Sequence, residues 1–201
     1  MLYLPSNAEI GYNAPHAMPW RMVANTQTFT SPYTQSDQTL SLPGARWAVS
    51  LTWKNLKRQQ AAPLQALLAE LGGRAGRLWV PHYLQLKTLD GMTGTVVVNG
   101  ANQVGRNLNV AGCTAGKRWL RGDYFEVNGE LKMITADSTV AGDGTAQLHF
   151  SPPLRKVPPN ATPVNTTTPG CQMRLVDDAQ GWQPMQGDFT DITLDLIEAW
   201  A

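Results

Sequence analysis

The sequence predicts a mainly β fold with one flanking α-helix and an inserted small β-barrel or β-sandwich module. Three observations lead there. Residues 45–53 read A-R-W-A-V-S-L-T-W and residues 191–197 read D-I-T-L-D-L-I, both alternating with the period of a half-buried strand. Leu64, Leu67, Leu68 and Leu71 fall at i, i+3, i+4 and i+7, the stripe of one amphipathic helix. Between these segments, short β-branched runs are punctuated by Asn99-Gly100, Asn128-Gly129 and Asp143-Gly144, which are hairpin-turn dipeptides.

The elements follow in chain order. Residues 1–33 are interrupted by Pro5, Pro15, Pro19 and Pro32, and read as irregular: an extended arm to a neighbour, or a poorly patterned edge. The strand at 45–53 puts Trp47, Val49, Leu51 and Trp53 on one face. The helix is expected within 57–71. Asn55 is a candidate cap for an early start, and Pro63 is a candidate first residue of the main helix if it starts later. Gly72-Gly73 ends it, and a strand resumes at Leu78-Trp79-Val80. Short strands are then expected at 95–98, 107–110, 124–127, 131–135 and 145–150, the texture of a small barrel or sandwich. The proline- and threonine-rich stretch 151–168 reads as an extended connection. Strands at 172–176 and 191–197 close the chain, and the alternating face of the last needs the 46–53 strand as its neighbour.

This order implies an interrupted organisation. Residues 1–87 plus 169–201 form one discontinuous β domain. Residues 88–168 are a peripheral β-module inserted into it, with a small core of its own.

Bulk composition narrows the function. Of 201 residues 42% are hydrophobic, so the chain can bury a core, but only 15% are charged against about a quarter in an average globular protein. A surface so poor in charge repels neighbouring copies weakly, which suits a packed assembly. A formal net charge of +1 supplies no field for nucleic acid. No run approaches the roughly 18 apolar residues of a bilayer span, and the first residues lack the basic start and apolar run of a signal peptide. Synthesis and assembly in a cytoplasm are therefore expected, with Cys113 and Cys171 as two free buried thiols.

Catalytic chemistry finds no foothold. His16, His82 and His149 lie in unrelated segments without a Ser, Cys or acidic partner at motif spacing, and His149 reads as a surface or interstrand residue. The glycine-rich stretch 72–76 follows a helix instead of opening one, so its amides do not make a phosphate cradle. Asp177-Asp178 reads as a hairpin tip, and Asp137 and Asp143 flank a turn without the dense oxygen ligands of a calcium loop. No catalytic, cofactor-binding or metal-ligating residue is assigned, and no cofactor is expected. Of seven tryptophans, Trp47, Trp53, Trp79 and Trp182 are expected in the core, and Trp20, Trp119 and Trp200 at subunit contacts.

The segments G-A-R-W-A-V-S-L-T-W and R-Q-Q-A-A-P-L-Q-A-L-L-A-E-L-G-G-R-A-G-R-L-W-V-P resemble minor tail proteins of siphophages, in particular distal tail proteins. The segments G-D-Y-F-E-V-N-G-E-L-K-M-I, G-D-G-T-A-Q-L-H-F-S-P-P-L-R and M-R-L-V-D-D extend the resemblance to most of the chain from Pro43 onward. The resemblance implies a β-sandwich of tail-tube type for residues 1–87 plus 169–201, as the ring domain of a non-enzymatic virion protein at the tail tip, made in the bacterial host cytoplasm. It implies a homo-oligomeric ring, hexameric in such proteins, joining the tail tube protein to the hub or central fibre protein. DNA passes through the lumen without sequence recognition, the inserted module points outward toward side fibres, and no membrane is involved. Two rival classes follow from the exposed aromatics and the carboxylates: a carbohydrate-binding host-recognition module and a cell-envelope hydrolase.

Overall fold

The computed structural model describes residues 2–6, 15–83 and 95–200. The fold is mainly β with one helix, and two sheets organise it. The large sheet is seven-stranded. In spatial order it runs β1 (Leu2–Tyr3), β6 (Leu78–Pro81), β15 (Gly170–Leu175), β17 (Phe189–Glu198), β5 (Arg46–Lys57) and β2 (Trp20–Val23), with β16 (Trp182–Met185) added alongside β17. The two alternating strands meet as expected: β17 and β5 are antiparallel, with Leu194 opposite Leu51 and Leu196 opposite Val49.

The second sheet is six-stranded, in the order β14 (Val164–Asn165), β10 (Tyr124–Val127), β11 (Glu130–Ala136), β13 (Ala146–Leu154), β8 (Gly105–Ala111) and β7 (Val97–Val98). It curls until its first and last strands nearly touch. Val97 bridges Pro163, Val98 N–H donates to Thr162 O and Val164 N–H donates to Val96 O, which makes a small barrel. A third pair, β9 (Arg118–Trp119) with β12 (Ser138–Thr139), lies beside it. The large sheet draws its strands from 2–81 and 170–198, and the barrel from 97–165. The expected boundary between Lys87 and Thr88 lies outside the described residues.

The helix α1 spans Arg58–Leu71 and buries Ala61, Leu64, Leu67, Leu68 and Leu71 on the large sheet. Gln60 Oε1 accepts the Lys57 N–H at 3.0 Å and closes the first turn. Pro63 therefore sits inside the helix, not at its start. Asn55 does not cap it either. It adopts φ 55° where the β5–β17 register shifts, and its N–H donates to Asp191 Oδ1 at 2.8 Å. Asparagine tolerates this left-handed conformation, so the position is a bulge. Gly72 ends the helix at φ 59°, a conformation that costs other residues a clash at Cβ. Leu68→Asp is expected to abolish soluble expression, because a carboxylate unpaired beneath the sheet costs several kcal/mol. Expression with a normal melting curve would show the face to be misassigned.

Three expectations need correction. Residues 1–33 are not irregular where they are described. They contain β1, β2 and β3 (Thr26–Thr30), because both edges of the large sheet and a separate hairpin accept strands that lack an apolar alternation. Pro15, Pro19 and Pro32 stand between these strands, where a missing N–H is tolerated. The stretch 151–168 is not a bare connection. Its first residues complete β13, with Pro152 and Pro153 in a break of the ladder between Ser151 and Leu154, and β14 nearly closes the barrel. Among the tryptophans, Trp119 is fully buried in the barrel, edge-on to Phe125, while Trp182 on the edge strand β16 is 46% exposed.

Candidate functional site

Two regions stand apart from ordinary core and surface. The first is the seam where the barrel meets the large sheet, and it is built by the hairpin β10–β11. Phe125 opposes Lys132 and Val127 opposes Glu130 in its register, and Phe125, Val127 and Ile134 belong to the barrel core. The opposite face carries Tyr124, Leu131 and Met133, which pack on the core of the large sheet with Trp47 and the α1 leucines. One hairpin is thus a wall shared by two cores.

Hydrogen bonds and rings fasten this wall. The Trp47 indole N–H donates to Leu131 O at 3.0 Å. His82, the first residue after β6, stacks on Tyr124 with centroids 3.9 Å apart, and Trp20 lies 5.0 Å away on the same imidazole. The His82 N–H donates to Pro169 O at 2.8 Å, joining the strand that leaves the sheet to the one that returns. Burial lowers the His82 pKa to about 4 and raises that of the Tyr124 phenol.

At the barrel end of the seam lie four charges. Lys132, with no exposed surface, places Nζ 2.6 Å from Glu130 Oε2 and donates to Pro153 O at 2.9 Å. Glu130 also accepts the backbone N–H groups of Arg155 and Lys156. The Arg155 guanidinium pairs with the Glu198 carboxylate on β17, whose other oxygen accepts the Trp47 N–H at 3.0 Å. Burial lowers the Lys132 pKa, and the Glu130 carboxylate offsets part of that. Arg46 and Arg155 both lie over the Trp200 ring at 4.6 Å, beside a cleft of about 110 Å³ that Trp79, Asn128 and Gln172 also line. The stacking surface of Trp200 is therefore committed to two cations. Each carboxylate oxygen of this group has a cationic or N–H partner, so the arrangement holds units together and presents no free base or nucleophile.

The second region is the hairpin β3–β4, in which Thr26–Thr30 pairs with β4 (Asp37–Ser41) as a two-stranded sheet of its own. Phe29 opposes Gln38 and Gln27 opposes Leu40, so Phe29 and Leu40 are diagonal neighbours on one face. Thr26, Thr28, Thr30, Asp37, Thr39 and Ser41 take the other face. Every residue of both strands is exposed, Phe29 at 59% and Leu40 at 52%. Asn25 ties the base of the hairpin to Pro43 O at 2.8 Å.

The residues weighed from sequence scatter. His16 Nδ1 accepts the Lys54 N–H, and His149 bonds the Asn107 side chain across the barrel ladder at 2.8 Å. Asp178 accepts the Arg74 N–H and fixes the turn after α1, while Asp143 accepts from Thr145 and Asp137 from the Arg121 N–H. Cys171 lies in the large-sheet core and Cys113 in the barrel core. Both are free thiols, raised by burial. Among the described residues no three His, Cys, Asp or Glu side chains gather as for a metal ion, and no helix is long and apolar enough to cross a membrane.

Sequence reasoning missed the seam network altogether. In sequence Glu198 is one more carboxylate in a strand-like run, and Lys132 one more polar residue in a short strand. The one available signal was the run E-L-K-M-I, whose charges fall at alternate positions inside a strand bounded by a turn. No family model matches the chain, and no curated protein matches it.

Proposed function

We propose that this chain is a structural protein of a bacteriophage tail tip, forming a homo-oligomeric ring that joins the tail tube to the hub or central fibre. The observation that carries the reading is the β3–β4 hairpin, whose apolar face of Phe29 and Leu40 has no cover within the described chain. A two-stranded ribbon is marginal alone in water and gains stability when a neighbour covers it. An identical copy is the simplest neighbour, and a contact between two different surfaces of one chain repeats head-to-tail into a ring. The low charge of the chain and the resemblance of its strand, helix and turn segments to minor tail proteins support the same reading. In it, residues 1–87 with 169–201 form the ring domain, and 88–168 is the peripheral module that faces side fibres. The seam fixes the module's direction.

The glycan-binding rival keeps one supporting observation, the half-exposed Trp182 beside Gln183 and Asp191. The double variant Phe29→Asp/Leu40→Asp separates the two. Both positions are exposed, so each change is expected to shift stability by about 0.5 kcal/mol or less. The variant should melt like the parent yet form no rings in negative-stain images. Rings that persist in it would remove the hairpin from the interface. A monomeric parent that glycan resin retains, and that Trp182→Ala releases, would favour the rival.

A further inference from the structure

We propose that the seam between the large sheet and the barrel is a latch that opens on acidification, with His82 as the group whose protonation releases it. The placement of this imidazole carries the inference. His82 sits at the crossover where the chain leaves the sheet, clipped to the return strand through Pro169 O. Its ring is the wedge between the two units: Tyr124 of the barrel wall lies on it at 3.9 Å, and Trp20 of the sheet edge at 5.0 Å. A positive charge there is desolvated between rings in the closed seam and hydrated in the open one. The ring faces recover part of that cost, and the net direction in the closed state is downward, to about 4.

The charged and titratable groups on the surrounding elements do not compensate it. Arg21 on β2 and Arg46 on β5 lie on those strands out of step with Trp20 and Trp47, which contact the seam. Tyr83 follows His82, and its phenol is raised by burial, as is that of Tyr124. Glu126 on β10 is held by the Asn165 side chain at 3.1 Å. Glu130, Lys132, Arg155 and Glu198 are engaged with one another. Among the described residues no carboxylate pairs with the imidazole.

The sign follows from linkage. The closed-state value lies below the ordinary 6.5, so closure is fully favoured above about pH 6.5 and weakens as pH falls toward 4. The opening constant is then expected to be roughly 150-fold larger at about pH 4 than at about pH 7.5. Hydrogen exchange by NMR reads this directly, corrected for intrinsic rates. The Trp47 indole N–H, which donates across the seam to Leu131 O, should lose protection by that factor. The Ile134 N–H in the barrel, which has a core of its own, should not follow. In His82→Phe, which keeps a ring in the wedge but cannot titrate, most of the pH dependence should disappear. Equal loss at both sites would overturn the latch by showing global unfolding. Seam protection that is flat with pH in the parent would overturn it as well. An unchanged profile in His82→Phe would overturn His82 as sensor.

Discussion

Glu130→Ala is expected to destabilise the protein by about 3–5 kcal/mol, the cost of leaving a buried charge without its partner. Lys132 has no exposed surface, and among the described residues its other acceptor is Pro153 O. The same substitution orphans the backbone N–H groups of Arg155 and Lys156, which Glu130 now receives. For a chain of this length the melting temperature should fall by roughly 10–15 °C. The double variant Glu130→Gln/Lys132→Met removes both charges and keeps an acceptor for one of those N–H groups, so it should recover part of the loss. Thermal melting followed by circular dichroism checks both. A Glu130→Ala protein that melts within about 3 °C of the parent would show that the pair is hydrated in solution.

Replacing residues 88–168 by a short Gly/Ser linker is expected to leave a poorly folded remainder, although the insertion has a core of its own. The reason is the shared wall. Tyr124, Leu131 and Met133 come from the barrel yet cover the large-sheet core, and Trp47 gives its indole N–H to Leu131 O. The fully buried Leu131 is worth about 1.5–3 kcal/mol, and the partly buried Tyr124 and Met133 less each. Losing the three together removes roughly 3–5 kcal/mol, against a total stability of roughly 5–15 kcal/mol. The deletion product should bind a hydrophobic dye and melt without a sharp transition. A cooperative melt close to that of the parent would show that the sheet stands without its wall.

What the sequence disclosed divides along a physical line. Where one face is buried and the other wet, the pattern is written in the residues, as in β5, β17 and the leucine stripe of α1. Where both faces share one environment, the pattern is silent. β3 and β4 are exposed on both sides, so Thr, Gln and Ser hide two strands. β11 is buried on both sides, so Lys132 and Glu130 face a barrel interior that no local rule assigns to charges. The tryptophans fail because their strands are too short to write a pattern: Trp119 sits in two-residue β9 and is buried in the barrel, while Trp182 on the four-residue strand β16 is exposed. The seam is a long-range object. Glu198 lies on β17 of the large sheet and Arg155 just past the end of β13, and their meeting depends on how the two sheets dock.

The two regions bear on one reading. A barrel held firmly by four charges and a ring stack has a fixed direction relative to the sheet, which a peripheral module in an assembly requires. In the proposed assembly, the apolar face of the β3–β4 hairpin, uncovered within the described residues, would be what the sheet offers the next copy. The free thiols are buried in separate cores, so assembly needs no disulfide between Cys113 and Cys171.

The mass of the purified protein in solution, measured by sedimentation equilibrium over a wide concentration range, tests the ring most directly. The account predicts a discrete, closed oligomer that becomes dominant as concentration rises, and whose formation Phe29→Asp/Leu40→Asp abolishes without unfolding the chain. A parent protein that remains a monomer up to the highest concentration would contradict it.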